Sequence, residues 1–353
     1  MKGPVHIIGA SAIGPQEVFD RDGLEAVTVH DGHPMKAIEP DLIRYIDPVR
    51  GRRMAKVAKY GISNALNAME RAGVKDPQAI IVGTGLGCME STERFFGPLF
   101  QNDEQLLNPT AFIQSTHNNV AGQIALRTGC TGYNYTYLHR GASFTSALLD
   151  GAMQVGLEGA ERVLVGGCDV VTSDYYLIQR RSGLWKQHQV RNVDVLQDGT
   201  PGALCGEGSA FFVLDPGQDH RGSVRLVDVD MSFNGEVHEV AHHIQERLER
   251  SSFDPQEVDL VMLGYSGDAA SDGTYDPVRA LFPNATVACF KPLCGEYYTA
   301  NAWGTWLTWS ALVSGRLPQE IILGGPARDR FQRAVLYDHY LQRDHSLVLL
   351  ERP

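Results

Sequence analysis

The position that decides the chemistry of this chain is Gly141, in a short turn between a predicted strand and a predicted helix. Residues 133–138 alternate and are rich in aromatic and β-branched side chains, which favours a strand, and residues 142–155 have helical periodicity. Such a turn aims one side chain at a substrate from a helix N-terminus, where partial positive charge lowers the pKa of a thiol. Because this side chain is a hydrogen atom, the position carries no nucleophile.

Residues near Gly141 and Glu296 could still supply a nucleophile. Ser143 follows the turn and His139 precedes it, and an imidazole beside a hydroxyl can activate it for attack. Cys294 lies two residues before Glu296 and is a second possible nucleophile. Structural roles account for the same residues, because Ser143 could satisfy free N–H groups at a helix start and His139 could be a polar turn residue. Both interpretations stay open from the sequence.

The composition of the chain excludes several classes of function. The 353 residues are 43% hydrophobic, which is enough to build a sizeable core, and they carry a formal net charge of −11. This charge repels phosphate backbones and anionic lipids, so neither nucleic acid nor a membrane surface is expected as a partner. No stretch approaches the roughly 20 apolar residues of a membrane span, and the first residues do not resemble a secretory signal. We therefore expect a cytoplasmic protein.

Metal ions and cofactors are not expected. The six cysteines are scattered without the spacing of a metal site or a disulfide framework, which favours reduced, buried thiols. The glycine run at residues 83–87 follows a predicted strand, as in dinucleotide-binding proteins. However, no second strand follows that ends in the acidic residue needed to hold a ribose. Close packing of a strand against a helix explains these glycines equally well.

The chain repeats one pattern of elements. A helix, the tripeptide Asp-Pro-Gln, an apolar strand and a glycine follow one another in residues 54–83 and again in residues 237–264. A second match pairs residues 145–167 with residues 307–325. Short apolar strands that alternate with helices predict a mostly parallel sheet covered by helices.

The repeat also predicts how the chain is divided. It indicates two halves, residues 1–215 and 216–353, whose helices pack together into stacked layers. On the C-terminal helix, Trp303, Trp306 and Trp309 recur every three residues. This spacing is typical of core residues, although the three rings could also line an acyl tunnel or a subunit contact.

Six short motifs, weak individually, keep their order and spacing over most of the chain. They are Gly83-Thr-Gly-Leu-Gly87, Asn119-Val-Ala-Gly-Gln123, Gly132-Tyr-Asn-Tyr-Thr136, Val165-Gly-Gly-Cys-Asp169, Cys205-Gly-Glu-Gly-Ser209, and Lys291 with Gly295. In this order the chain resembles a β-ketoacyl synthase of the thiolase-like superfamily. The resemblance implies an α/β, thiolase-like fold with duplicated halves that give stacked α-β-α-β-α layers.

The resemblance also implies where the catalytic residues should lie. The family uses one cysteine as acyl nucleophile and two histidines for decarboxylation. By order along the chain, the cysteine position falls on Gly141, the first histidine on Gly264 or Tyr265, and the second on Glu296. All three groups are therefore replaced, whereas Lys291 of the family pattern is retained. Whether Lys291 pairs with Glu296 stays open at this point.

These replacements change the chemistry of the site. Glycine cannot form a thioester, so covalent catalysis is excluded at residue 141. A carboxylate at Glu296 would face a developing enolate where a neutral donor is needed. At about 4 Å and an effective dielectric constant near 20, this repulsion is about 4 kcal/mol, or roughly three decades in rate.

Among members of this family, the chain most resembles the chain-length factor, the inactive partner of a ketosynthase in type II polyketide-like systems. The resemblance implies a heterodimer with an active β-ketoacyl-ACP synthase, joined through a strand that carries Asn134, Tyr135, Thr136 and Tyr137. It further implies that Thr110, Phe112, Gln114, Thr116 and His117 reach the acyl tunnel of the partner and set the length of the product. The acyl carrier protein would act mainly through that partner.

The branch of the family and two other functions stay open. Residues 324–329 depart from the family's glycine/phenylalanine loop, which favours a divergent branch such as the aryl polyene type. The alternatives are an active condensing or acyl-transfer enzyme with an unconventional nucleophile, and a freestanding acyl-binding or regulatory module. Arg52, Lys56 and Lys59 share one helix face, which could dock an acidic carrier protein or contact the chain's own carboxylates.

Overall fold

The structure, a computed structural model, describes residues 3–105, 107, 109–217, 222–235 and 237–353. Within these ranges the strands are β1 (His6–Ile13), β2 (Ala79–Gly83), β3 (Tyr133–Tyr137), β4 (Val163–Asp169), β5 (Gly208–Asp215), β6 (Val224–Phe233), β7 (Leu260–Leu263), β8 (Thr286–Cys289), β9 (Ile322–Gly324), β10 (Arg333–Tyr340) and β11 (Asp344–Glu351). The helices are α1 (Pro48–Gly51), α2 (Lys56–Arg71), α3 (Met89–Gln101), α4 (Pro109–Gln114), α5 (Asn119–Thr128), α6 (Ser143–Gly156), α7 (Ser173–Arg181), α8 (Val237–Arg250), α9 (Asp276–Arg279), α10 (Lys291–Cys294) and α11 (Ala300–Ser314).

The order of the strands shows the duplication directly. In the first half the order is β3-β2-β4-β5-β1, and in the second half β8-β7-β10-β11-β6 repeats it position by position. The directions also agree, since β2 is parallel to β3 and β4 as β7 is to β8 and β10. In both halves the last two strands pair antiparallel with their neighbours. The predicted thiolase-like α/β fold with duplicated halves is confirmed, while the boundary at residues 215/216 stays a prediction.

Most strands are buried on both faces because layers of helices cover them. Strands β2, β4 and β7 are buried over their whole length, so their sequences are almost continuously apolar. Helices α2 and α5 cover one face of the first half, and α8 and α9 cover one face of the second half. Helices α6 and α11 lie in the core between the halves, which completes the α-β-α-β-α order.

Helix α11 forms the centre of the molecule. Thirteen of its fifteen residues are buried, including Trp303, Trp306 and Trp309, and they pack against strands of both halves. A helix that is apolar on all sides is expected in such a position. The core interpretation of the three tryptophans is therefore confirmed. Among the described helices, none combines the length and the apolarity needed to span a membrane.

One predicted correspondence between the halves is wrong. The match of residues 145–167 with 307–325 makes β9 the counterpart of β4, but β9 is an edge strand that pairs antiparallel with β8. The counterpart of β4 by position and direction is β10. Strand β4 contains the pair Gly166-Gly167 after its apolar run, and the segment of β9 likewise ends in two glycines, whereas β10 has no glycine. The prediction failed because β9 resembles β4 in residue composition but occupies a different position in the sheet.

A buried carboxylate connects the two halves next to the centre of the sheet. Asp169, at the end of β4, accepts hydrogen bonds from Thr84 Oγ1 at 2.8 Å, from Leu86 N at 2.9 Å and from Thr299 Oγ1 at 2.9 Å. Thr299 directly precedes α11 in the second half. Burial raises the pKa of Asp169, and these donors oppose the shift by stabilising the charged form. Asp169 therefore accepts hydrogen bonds from two segments at once, residues 84–86 and Thr299.

We expect Asp169→Ala to lower the free energy of unfolding by about 3 kcal/mol or more, because several buried donors would lose their acceptor. Urea unfolding would measure the change. Asp329→Ala, which removes an exposed carboxylate, is the matched control and should change stability by no more than about 0.5 kcal/mol. Equal losses in the two variants would contradict the role assigned to Asp169.

Candidate functional site

The turn between β3 and α6, residues 138–142, is a sharp bend that we name the elbow. It contains a short 3-10 turn over Arg140–Ala142, after which α6 begins at Ser143. Arg140 adopts φ of 50°, in the left-handed region that non-glycine residues occupy at a cost of roughly 1–2 kcal/mol. Gly141 is buried directly behind it. The elbow thus has the geometry that the sequence predicts.

The space beside Gly141 is occupied by the turn between β10 and β11. A Cβ atom added to Gly141 would lie 2.2 Å from Cβ of Tyr340 and 3.2 Å from Cβ of Asp344. The first distance is far below van der Waals contact, and the atom it would meet is next to the backbone of Tyr340 and cannot rotate away. Any side chain at residue 141 would therefore displace the last hairpin of the protein.

The Ser143 and His139 side chains do not form a catalytic pair. Ser143 Oγ donates to the carbonyl of Arg140 at 2.7 Å and accepts from the backbone N–H of His139 at 2.9 Å. The imidazole of His139 instead has Nδ1 at 3.3 Å from Ser146 Oγ. Ser143 is fully buried. Its hydroxyl holds the backbone of the elbow, in line with the structural role considered for it.

The two predicted histidine positions have different surroundings. A Cβ atom on Gly264 would lie 2.0 Å from Oδ1 of Asp338 and 2.5 Å from the hydroxyl of Tyr275, so no imidazole fits there. Tyr265, the other candidate, donates its hydroxyl to Asp276 at 2.5 Å. Neither residue offers a group that could replace the first histidine of the family pattern.

Glu296 belongs to a buried ionic cluster around Lys291. The Lys291 ammonium lies 2.6 Å from Glu296 Oε2 and 2.7 Å from Asp338 Oδ1, and it donates to the carbonyl of His339 at 3.1 Å. The question left open by the sequence is answered, because Lys291 and Glu296 do pair. Asp338 also accepts from the Tyr275 hydroxyl at 3.0 Å. The ammonium of Lys291 thus contacts two carboxyl groups, those of Glu296 and Asp338.

The charges of this cluster follow from burial and from this geometry. Burial opposes the charge of Lys291, but Asp338 and Glu296 together raise its pKa. Burial raises the pKa of Glu296, while the nearby ammonium opposes this shift. Burial and the positive charge of Lys291 lower the pKa of His339 well below its ordinary value, so this imidazole is neutral.

A small residual cavity remains next to the cluster. Its volume is about 110 Å³, and its walls include Glu296, His339, Tyr340 and Trp185. Pockets that enclose a substrate or cofactor usually have about 300–1,000 Å³. This cavity therefore has room for a few water molecules but not for an extended acyl chain.

The sequence did not identify the residues that close the site from the C-terminal side. These are Asp338, His339 and Tyr340 at the end of β10, and Asp344 at the start of β11. The resemblance directs attention to residues 324–329, but the added Cβ of Gly141 meets the β10–β11 turn instead. A signal was present, because Asp338, His339 and Tyr340 follow the short apolar run of residues 334–336 and Tyr337.

Burial accounts for Cys294, and a contact with a carboxylate accounts for Lys56 and Lys36. Cys294 is fully buried, and burial raises its pKa well above the ordinary value, so it is not an activated nucleophile. Lys56 and Lys36 contact the buried Glu207 at 2.6 Å and 3.3 Å. For Lys56, the contact with the chain's own carboxylate is the interpretation that holds. The described residues contain no cluster of metal-ligating side chains.

The residues predicted to face a partner lie at one edge of the sheet. Strand β3 is the terminal strand in the described part of the chain and pairs with β2 alone. Tyr133, Asn134 and Tyr135 are exposed, whereas Thr136 and Tyr137 are half-buried. In the segment from Thr110 to His117, the side chains of Thr110, Phe112, Thr116 and His117 are exposed, and that of Gln114 is half-buried.

Residues 9–220 match the family model described as the β-ketoacyl synthase N-terminal domain. No curated protein matches the sequence significantly. Among solved structures, one described as the ishigamide ketosynthase/chain length factor has 15% identity over 100% of both chains, with a TM-score of 0.82. A β-ketoacyl synthase from Burkholderia phymatum STM815 has 15% identity over 99% of this chain and 100% of its own, with a TM-score of 0.80.

A third solved structure is similar over nearly its whole length. It is the ketosynthase ApeO in complex with its chain length factor ApeC, from Xenorhabdus doucetiae. The identity is 13%, the match covers 99% of this chain and 98% of that chain, and the TM-score is 0.72. At these identities the likenesses establish the fold.

We expect Gly141→Cys to lower the free energy of unfolding by up to about 3 kcal/mol, because the new Cβ overlaps Tyr340. Gly97→Cys in α3 is the matched control, since nothing lies within 4 Å of its added Cβ. The control should change stability by less than about 1 kcal/mol. A Gly141→Cys protein as stable as the control would show that the elbow can accept a side chain after all.

The ionic cluster also predicts a pH dependence. Because the pKa of Glu296 is raised above its ordinary value of 4.5, the folded chain keeps a proton that the unfolded chain releases. Wild-type stability should therefore fall as pH rises from about 4.5 to about 7, with a slope of at most roughly 1.4 kcal/mol per pH unit from this group. Glu296→Gln should remove this contribution. The exposed Glu158→Gln is the control, and urea unfolding at each pH gives the differences.

If Glu296→Gln and Glu158→Gln show the same pH dependence as the wild type, Glu296 does not hold a proton in the folded chain, and this assignment of the cluster's charges is wrong.

Proposed function

The chain belongs to the β-ketoacyl synthase family, and we propose that it is a non-catalytic member of the chain-length-factor type. In this proposal it pairs with an active β-ketoacyl-ACP synthase in a cytoplasmic heterodimer and shapes the acyl tunnel of that partner. The acyl carrier protein delivers its cargo to the partner. The products are polyketide-like or fatty-acid-like chains, with a conjugated aryl polyene as the more specific expectation.

The observation that carries the proposal is the elbow at Gly141. A nucleophile at this point needs both a reactive atom and room for a tetrahedral intermediate beside it. Gly141 has no reactive atom, and Tyr340 fills the adjacent space. The cavity of about 110 Å³ beside Tyr340 and Glu296 is too small for an extended acyl chain. This arrangement supports a protein that acts through its shape.

The second histidine position supports the same conclusion. Decarboxylation needs neutral donors directed at the enolate oxygen that develops in the transition state. The carboxyl group of Glu296 is occupied by Lys291, whose ammonium lies 2.6 Å from Oε2. His339 is neutral but stacks face to face on Tyr275, with ring centroids 4.4 Å apart. The contacts of Lys291 with Glu296 and Asp338 therefore support a structural role for this position.

The edge of the sheet supports a role in pairing. An unpaired terminal strand offers free backbone N–H and C=O groups to another chain. In β3, Tyr133 and Tyr137 donate their hydroxyls to the same oxygen of Asp150, at 2.9 Å and 3.2 Å. These bonds order the tyrosine side chains before any partner binds, which reduces the entropy lost on association. Two of the similar solved structures bear names that contain a ketosynthase and a chain length factor.

Co-expression with a ketosynthase encoded beside this gene tests the proposal. We expect the two chains to co-purify in equal amounts, and condensation to require the cysteine of the ketosynthase. A stable homodimer or monomer that ignores the ketosynthase would favour a freestanding acyl-binding or regulatory module. Condensation that persists after the partner's cysteine is replaced would favour an unconventional active enzyme.

We expect substitutions at Phe112 to change the length of the product made by the complex. Phe112 is 58% exposed on α4, so substitution there removes little core packing. Phe112→Ala should shift products towards longer chains because it widens the tunnel, and Phe112→Trp should shift them towards shorter ones. Mass spectrometry of the products would measure both shifts. Phe233→Ala, at an exposed ring on β6, should leave the length unchanged.

A further inference from the structure

A second cavity, which we name the α11 cavity, lies between elements of both halves and has a volume of about 570 Å³. Its walls come from β1, from the C-terminal end of α2, from the last two turns of α11 and from Arg352, which follows β11. The residues that line it include none from the elbow, from the cluster around Lys291 or from the edge strand β3. The volume falls within the range of about 300–1,000 Å³ that is usual for ligand pockets.

Arg352 brings a positive charge to this cavity that no described carboxylate offsets. Its side chain is half-buried, and its Nη1 donates to the carbonyl of Leu312, near the end of α11, at 3.0 Å. Within the described ranges no acidic side chain forms an ion pair with it. The other arginine of the cavity, Arg71, is matched, because it pairs with Asp22 and its Nη1 lies 3.7 Å from Oδ1 of Asp20. A partly buried charge without a counter-charge is unfavourable, so the cavity is complementary to one negative charge.

Two N–H groups of residues that line the cavity have no acceptor among the described residues. Trp309 is 4% exposed, and its indole Nε1 is buried without a hydrogen-bond partner. The Nε of Arg71 is buried without a partner as well. The indole N–H groups of Trp303 and Trp306 are also unpaired, but of the three α11 tryptophans only Trp309 lines the cavity. Buried donors are normally paired, so a ligand that accepts hydrogen bonds would complete this site.

The remaining lining favours a ligand with an apolar body. Ile8, Val313 and the ring of Trp309 contribute hydrocarbon to the wall, and covering hydrocarbon stabilises a complex. The fork of an arginine matches a planar carboxylate, which accepts two parallel hydrogen bonds. One unmatched guanidinium balances one carboxylate, whereas a phosphate group carries about 1.5 to 2 negative charges at pH 7. The lining therefore fits an apolar acid with a single carboxylate.

We propose that the α11 cavity binds a small monocarboxylic acid with an apolar body, whose carboxylate contacts Arg352 and the indole N–H of Trp309. The apolar body lies against Ile8 and Val313. This inference goes beyond the proposed function and does not depend on it, because the cavity shares no residue with the elbow or with the surface assigned to a partner.

Isothermal titration calorimetry of the full chain with sodium octanoate tests the proposal, and we expect one saturable site. Arg352→Met keeps an apolar stem but removes the guanidinium, so it should weaken octanoate binding at least about tenfold. Arg330→Met is the matched control, because Arg330 is exposed and lies outside the cavity. The control should bind octanoate within about twofold of the wild type.

A second variant keeps the test decisive if Arg352→Met fails to fold, since Arg352 also holds the carbonyl of Leu312. Trp309→Phe keeps an aromatic ring but removes the indole N–H, which has no partner to lose among the described residues. We expect it to weaken octanoate binding by about threefold to tenfold. Thermal unfolding without ligand verifies that each variant is folded.

Several results would overturn the assignment. They are an absence of octanoate binding to the wild type, or equal octanoate affinities of the wild type and the folded Arg352→Met and Trp309→Phe variants. Octan-1-ol bound as tightly as octanoate would show that the cavity does not recognise a carboxylate. Inorganic phosphate bound as tightly would show that the apolar body contributes nothing. Each of these results contradicts the assigned class of ligand, and none bears on the proposed pairing with a ketosynthase.

Discussion

The close contact between Gly141 and Tyr340 is the constraint from which the other features of the site follow. The elbow keeps the sharp turn of a nucleophile position, including a left-handed Arg140, but its backbone lies directly against the last hairpin. Only glycine permits this packing, because a Cβ atom at residue 141 would overlap Cβ of Tyr340. The cavity that Tyr340 lines beside Glu296 has a volume of only about 110 Å³. In the proposed function, the absence of a nucleophile at residue 141 and the occupied space beside it are thus one structural feature.

The buried cluster around Lys291 stabilises this closed arrangement. Buried ion pairs usually contribute little net stability, but removing one partner leaves an uncompensated charge at a cost of about 3–5 kcal/mol. Lys291 binds Glu296 from α10's C-terminal side and Asp338 from β10. It therefore ties the position of the second histidine to the hairpin that fills the elbow. Replacing Glu296 with histidine would remove one of the two carboxyl partners of Lys291 from this network.

Local patterns in the sequence predicted much of this structure, and long-range contacts limited the rest. The repeated helix and strand pattern, the strand of Tyr133–Tyr137 and the elbow with α6 follow from periodicity and turn residues close in sequence. The pairing of Lys291 with Glu296 was within reach because five residues separate them. Tyr340 is about 200 residues from Gly141 along the chain, and no local pattern reports such a contact. Strand β9 was mistaken for the counterpart of β4 because both have an apolar run followed by two glycines, while the true counterpart, β10, has no glycine.

The central claim is that this chain kept the architecture of a condensing site without its reactivity. Intact-mass spectrometry of the purified chain, incubated alone with an acyl carrier protein that bears an activated acyl group, tests it most directly. We predict that the mass of the chain stays unchanged, while a ketosynthase treated in the same way gains the mass of the acyl group. A stoichiometric acyl adduct on this chain, mapped to any of its side chains, would contradict the claim.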